Sequence, residues 1–256
     1  MGARYGVLGW PVGHSRSPAM MRAAGLHRYQ LLPVAPEAFD DTVRALGAAG
    51  FRGTNVTIPH KQAALALATE ATDVARAIGA ANTLSFGDDG AVVADNTDAP
   101  GLMATLAAPP ASALVLGAGG SARAAIWALT QAGVDVSVYN RTPQRAHGLG
   151  ARVVARPVPA ELLVNCTSVG LDDSSTAFKD MPLDAEALSN YATVVDLVYR
   201  MGATALAAEA QRRNLKVVDG LEILVSQGAL SFTIWTGLPA PLDLMRAAAQ
   251  LSANGS

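Results

Sequence analysis

The chain has 256 residues, 19 of them basic and 21 acidic, for a net charge of −2. Half is hydrophobic and 16% is charged, which excludes a disordered chain and leaves no electrostatic case for a nucleic acid or an anionic membrane as partner. One cysteine, Cys166, excludes an intrachain disulfide; with no signal-peptide pattern and no run near the ~20 apolar residues of a membrane helix, a cytoplasmic protein of one large or two medium domains is expected.

Tyr5–Leu8 reads as a strand, and Gly13-His14-Ser15-Arg16-Ser17-Pro18 leads into a helix over Pro18–Ala24. Ser17 before Pro18 makes a good helix cap, which leaves Ser15 without a structural role. A strand over Gln30–Val34 and a helix over Pro36–Ala48 precede the strand Thr54–Ile58, whose alternation puts Asn55 and Thr57 on one face. A helix follows over His60–Ala66. Its first turn carries Lys61, where the positive end of the helix dipole disfavours a cation. The chain keeps three lysines, and the other two, Lys179 and Lys216, read as solvated charges. Strands over Thr83–Phe86 and Val92–Ala94 lead to Asp95-Asn96-Thr97-Asp98 and a helix over Asp98–Leu106, where Asp98 can serve as the cap.

The Pro109-Pro110 segment is the best candidate for a linker. Beyond it a buried strand, Ala113–Leu116, runs into Gly117-Ala118-Gly119-Gly120-Ser121-Ala122 and a helix over Ser121–Gln131. Glycine lets the chain turn tightly and approach a pyrophosphate, a small sixth residue lets helix and strand pack, and N–H groups at the helix start bind phosphate. The next strand, Asp135–Tyr139, ends on Asn140-Arg141-Thr142-Pro143-Gln144-Arg145. A carboxylate there would bind the ribose hydroxyl of NAD; its absence, with two guanidiniums and a hydroxyl available for a 2′-phosphate, favours NADP. A solvated helix face over Gln144–Leu149 is the plainer account of the arginines. Strands over Val153–Ala155, Leu162–Cys166, Val194–Leu197 and Lys216–Val218 alternate with helices over Ala203–Arg213, Glu222–Thr236 and Pro241–Leu251. The alternation predicts α/β layers on a largely parallel sheet. No histidine or cysteine spacing suggests a metal site.

Nine segments, in order and spanning nearly the whole chain, resemble the shikimate dehydrogenase family: Gly13–Pro18, Asn55–Lys61, Gly79–Thr83, Asp95–Asp98, Gly117–Ala122, Asn140–Thr142, Asn165–Ser168, Asp196–Tyr199 and Asp219–Gln227. The resemblance implies NADP-dependent interconversion of shikimate and 3-dehydroshikimate, and two α/β domains facing across a cleft. One is a substrate-binding domain over 1–100 and 223–256, to which the C-terminal helices return; the other is a Rossmann-type doubly wound NADP-binding domain over 101–222. By position it makes Lys61 and Asp98 the catalytic pair and Ser15, Ser17, Thr57, Asn82, Tyr199 and Gln227 further substrate contacts. It gives the cofactor Gly117, Ala118, Gly119, Gly120, Ser121, Ala122, Asn140, Arg141, Thr142, Arg145, Leu197 and Gly220, with Thr167 near the nicotinamide. A monomer or homodimer without nucleic-acid or membrane partners fits this picture. Gln62 and Ala99 depart from the family's common acidic residue and glycine, outside the chemistry.

Oxidising a secondary alcohol takes a hydride from carbon and a proton from oxygen. The chain has no His-centred or Ser-Tyr-x-x-x-Lys arrangement for the proton; the Lys61–Asp98 pair that the resemblance implies can handle it. Two alternatives are a quinate/shikimate dehydrogenase using NAD or both cofactors, and a non-catalytic NADP-sensing module. The second predicts loss of the Lys/Asp pair or an added partner-binding domain.

Overall fold

The computed structural model describes residues 2–171, 177–200 and 202–251. They fall into two compact units, Met1–Gly101 with Leu224–Ser256, and Leu102–Ile223. The helices in chain order are α1 (Ser17–Ala23), α2 (Phe39–Leu46), α3 (Lys61–Leu67), α4 (Asp73–Ile78), α5 (Asp98–Thr105), α6 (Gly120–Gln131), α7 (Ala177–Asp180), α8 (Ala205–Arg212), α9 (Gly220–Thr236) and α10 (Leu242–Leu251). The fold is α/β, as the alternation predicts.

The first unit carries strands β1 (Arg4–Gly9), β2 (Tyr29–Pro33), β3 (Phe51–Val56), β4 (Glu70–Ala71), β5 (Thr83–Phe86) and β6 (Val92–Asp95) in the order β2-β1-β3-β5-β6-β4. All pairs are parallel except those of β5, which runs against both β3 and β6. The cause is local. A short loop joins β5 to β6, closed by the Gly87 N–H to the Ala91 carbonyl at 2.9 Å, with Gly90 at φ 86°; a crossover needs a dozen residues or more. The sequence also hides β4 and α4. The helix has both end signals, with the Thr72 hydroxyl accepting from the Ala75 N–H at 3.2 Å and Gly79 left-handed at φ 73°. At six residues it is too short for its apolar period to show.

Close backbone contact sets where α9 lies in this unit. A Cβ on Gly101 of α5 would stand 2.8–2.9 Å from the Gln227 backbone and Cβ. Gly101→Ala therefore forces the two helices apart. Such overpacking costs about 1–3 kcal/mol, measurable as a lower urea midpoint, and it draws Gln227 away from the groups described below. Trp235, further along α9, packs near Tyr5 and donates its indole N–H to the Leu84 carbonyl at 3.1 Å, the packing role its helical position suggests.

In the second unit, β7 (Ser112–Leu116), β8 (Asp135–Tyr139), β9 (Arg152–Val153), β10 (Leu162–Asn165), β11 (Thr193–Asp196) and β12 (Lys216–Val218) form one sheet in the order β9-β8-β7-β10-β11-β12. Every pair is parallel. Numbered along the unit this is 3-2-1-4-5-6, the doubly wound dinucleotide-binding order. Both sheet faces are buried, so β7 reads as an unbroken apolar run. Ala113 and Val115 pack on one face with Ala122, Ala125, Ile126 and Leu129 of α6, while Leu114 and Leu116 pack on the other with Leu206 and Ala210 of α8. The expected helix over Gln144–Leu149 is absent. A single 3-10 turn, Pro143–Ala146, stands there, because Gly148 and Gly150 adopt φ 76° and 80°, which no right-handed helix admits.

Candidate active site

Lys61 opens α3, and its ammonium Nζ lies 2.6 Å from Asp98 Oδ2. The two side chains are 11% and 13% exposed, so the pair is shielded without being sealed from a ligand. Its placement explains the lysine at a positive helix end: the Asp98 carboxylate, not the helix, provides its counter-charge. Asp98 is free for that role because the start of α5 is capped by another residue. Asn96 Oδ1 accepts from the Ala99 N–H at 3.2 Å, so the capping role open to Asp98 in the sequence belongs to Asn96.

Asn82 fixes the other carboxylate oxygen. Its Nδ2 donates to Asp98 Oδ1 at 2.8 Å, to Thr97 Oγ1 at 2.9 Å and to Gln227 Oε1 at 3.1 Å. Its Oδ1 accepts from the Thr97 N–H at 2.7 Å. Asn82 is 2% exposed, and a buried amide needs such partners. With two hydrogens facing three acceptors, Gln227 Oε1 has the longest contact and is the oxygen best placed to take a new donor. Gln227 is itself oriented by Nε2 donating to the Leu224 carbonyl at 2.7 Å.

A second layer of hydroxyls holds this group. Ser231, one turn beyond Gln227 on α9, lies 2.9 Å from Thr83 Oγ1 and 3.1 Å from Thr97 Oγ1. Asn55 donates to Ser231 Oγ at 2.9 Å, and accepts from the Tyr29 hydroxyl at 2.8 Å. The sequence did not single out Tyr29, Thr83 or Ser231 as site residues. Only Ser231 carried a signal, its i+4 spacing from Gln227.

Ser17 does not take the capping role its place before Pro18 suggests; the N-cap of α1 is Arg16. Ser17 is the first helical residue of α1 and caps nothing with its side chain. Its N–H instead donates to Ser15 Oγ at 3.3 Å. Thr57 follows the end of β3, its N–H bound to the Leu8 carbonyl at 2.8 Å. A Cβ on Gly9 would lie inside contact distance of the Thr57 methyl, so this glycine makes room for Thr57. The neighbouring His60 is structural: buried, stacked on Phe39 at 4.4 Å, with Nε2 donating to the Val34 carbonyl at 2.7 Å.

In the second unit, Gly117 turns at φ 108°, and a Cβ there would press on the Cys166 carbonyl at 3.2 Å. Gly119 precedes α6 with no side-chain cap, and a Cβ on it would meet nothing within 4 Å. With buried Ala122 beneath, the Gly117–Ala122 turn fits a pyrophosphate at the start of α6. Asn140 closes the next turn through Nδ2 to the Thr142 carbonyl at 2.8 Å. Arg141, Thr142 and Arg145 are exposed, and Arg141 lies outside the 3-10 turn. Neither arginine makes an ion pair among the described residues. This donor set fits a 2′-phosphate.

Thr167 lies just past β10. Its N–H and hydroxyl both donate to Asn165 Oδ1, at 3.1 and 2.7 Å. Leu197 and Tyr199 follow β11 and are half-buried. Gly220 is needed for packing, since a Cβ would come within 2.7 Å of the Val198 backbone. Asp196, 1% exposed, accepts from Asn165, Thr204 and the Val198 N–H. Burial pushes its carboxyl up, against the pull of those three donors, and Asp219 adds repulsion. No group of three or more His, Cys, Asp or Glu among the described residues is placed to hold a metal, and no helix among them is long and apolar enough to cross a membrane.

Comparison with known proteins finds relatives that match over more than nine-tenths of the chain. A shikimate dehydrogenase substrate binding domain model matches residues 7–84, and a shikimate 5'-dehydrogenase C-terminal domain model matches residues 220–250. A shikimate dehydrogenase (NADP(+)) of Thermus thermophilus is 45% identical over 261 residues, covering 96% of this chain and 97% of that one. One from Methylobacterium radiotolerans is 46% identical over 263 residues, covering 92% and 91%. A crystal structure of a shikimate 5-dehydrogenase from Thermus thermophilus, in complex with NADP(H) and shikimate, superposes with a TM-score of 0.85 at 42% identity, covering 97% of this chain and 99% of that one.

Proposed function

The chain belongs to the shikimate dehydrogenase family, and we infer from that premise that it interconverts shikimate and 3-dehydroshikimate with NADP. The observation that carries the chemistry is the shielded Lys61–Asp98 pair at 2.6 Å, with Asn82 on the second carboxylate oxygen. Bound NADP supplies the acceptor or donor of the hydride. The protein's own share is the proton: Lys61 Nζ takes it from the reacting hydroxyl oxygen on oxidation and returns it on reduction. Asp98 holds the ammonium in place, and Asn82 keeps the carboxylate from turning away.

The other roles follow from donor and acceptor type. Ser15 and Ser17 offer hydroxyls to the substrate carboxylate, and Thr57, Asn82, Tyr199 and Gln227 offer donors and acceptors to the ring hydroxyls. The Gly117–Ala122 turn holds the pyrophosphate, and Asn140, Arg141, Thr142 and Arg145 hold the 2′-phosphate. Thr167, Leu197 and Gly220 border the nicotinamide. The intact Lys/Asp pair counts against a silent sensor, and the missing carboxylate at Asn140 counts against NAD. A cytosolic monomer or homodimer that binds no nucleic acid suits the single cysteine and the net charge of −2.

The deciding assay follows absorbance at the NADPH band with shikimate or quinate, each paired with NADP or NAD. Shikimate with NADP is expected to give the highest kcat/KM. Turnover confined to quinate with NAD overturns both the substrate and the cofactor.

A further inference from the structure

The family chemistry leaves one buried carboxylate unused. Asp196 closes β11, between β10 and the edge strand β12 of the second unit's sheet, and its two oxygens serve different segments. Oδ1 accepts from Asn165 Nδ2 at 2.9 Å and from the Val198 N–H at 3.2 Å. Oδ2 accepts from Thr204 Oγ1 at 2.5 Å, and Thr204 caps α8 by accepting from the Ala207 N–H at 3.0 Å. Asn165 is fully buried, and with its Nδ2 held its Oδ1 is turned onto Thr167. It receives that residue's N–H and hydroxyl at 3.1 and 2.7 Å. The Thr167 hydroxyl also accepts from the Val169 N–H at 3.2 Å, which pins the loop on both sides.

A carboxylate need not be buried here for stability alone, since burial works against its charged form. What it does that an apolar residue would not is present one oxygen to two donors, one at the end of the neighbouring strand β10 and one in the segment just past β11. We propose that Asp196 is a positioning residue for hydride transfer. Acting through Asn165, it sets Thr167, and through the Val198 N–H it sets the segment carrying Leu197 and Tyr199. This rests on the placing of Thr167 and Leu197 beside the nicotinamide.

The demand is for an acceptor, not for a charge. An amide at 196 keeps its oxygen toward Asn165 and Val198 and turns its NH2 to Thr204 Oγ1, a hydroxyl that can accept. Asp196→Ala leaves all three donors without this acceptor, and Thr167 is released. A misplacement of this order lowers kcat by about ten- to a hundredfold.

The test measures kcat, both KM values and the primary isotope effect with NADPH deuterated at the transferred position. Wild type, Asp196→Ala, Asp196→Asn and Asn165→Ala are compared, with thermal midpoints for each. The expected result is a lower kcat and a larger isotope effect in Asp196→Ala and Asn165→Ala, most of it recovered in Asp196→Asn. A purely structural role lowers the midpoint and leaves the isotope effect where it was. If Asp196→Ala does not fold, Asn165→Ala with wild-type kcat and isotope effect overturns the proposal. So does an Asp196→Asn loss as large as that of alanine. Failure of the wild type itself to turn over shikimate would overturn the functional assignment instead.

Discussion

Replacing Lys61 by methionine is expected to lower kcat by about 10²–10⁴ in both directions, the usual share of a positioned acid–base group. The methylenes are kept, so the packing of α3 is kept; what goes is the nitrogen paired with Asp98 Oδ2. A stability loss also follows, because the carboxylate is left shielded without its counter-charge, and breaking one half of a buried pair costs about 3–5 kcal/mol. The two effects separate in the double variant Lys61→Met/Asp98→Asn. Its amide can keep the Asn82 contact through its oxygen and bears no charge, so the thermal midpoint recovers while turnover stays low. Recovery of turnover along with the midpoint would make the pair a structural element. A Lys61→Met enzyme with near-normal kcat would remove Lys61 from the chemistry outright.

This pair shows how far the sequence reaches. Lys61 stood out because it sits against its helix dipole, and Asp98 because it stands at a helix start; both are local signals. Their contact spans 37 positions, and no spacing rule predicts it. The family motifs supplied that connection. The unbroken apolar run of β7 announced a strand buried on both faces, and its two faces do carry two cores. The antiparallel β5 was not announced, because strand direction depends on how a loop closes, not on the strand's own residues. Local rules also misassigned hydroxyls. Ser17 and Asp98 have the composition of caps, yet Ser17 lies inside α1 behind the N-cap Arg16, and Asn96 does the capping at α5. The layer of Tyr29, Thr83 and Ser231 behind Asn82 draws on β2, β5 and α9, and only the folded chain assembles it.

Removing both guanidiniums, as Arg141→Ala/Arg145→Ala, is expected to raise KM for NADP about a hundredfold and leave KM for NAD within about twofold. A charge-assisted hydrogen bond contributes about 1.5 kcal/mol at the low end of its range, and two such losses come to about 3 kcal/mol, or about two decades in affinity. The low end applies because both residues are exposed and solvent screens them. NAD has no 2′-phosphate and loses nothing at that point. The same asymmetry must appear in salt: raising ionic strength should weaken NADP more than NAD in the wild type and weaken both alike in the double variant. Stability should change little, since neither arginine makes an ion pair among the described residues. An equal rise in KM for both cofactors would instead place the arginines on a group the two share, the pyrophosphate or the adenine ring. The preference for NADP would then rest on Asn140 and Thr142, whose closed turn at 2.8 Å leaves the second Asn140 amide hydrogen and the Thr142 hydroxyl as donors.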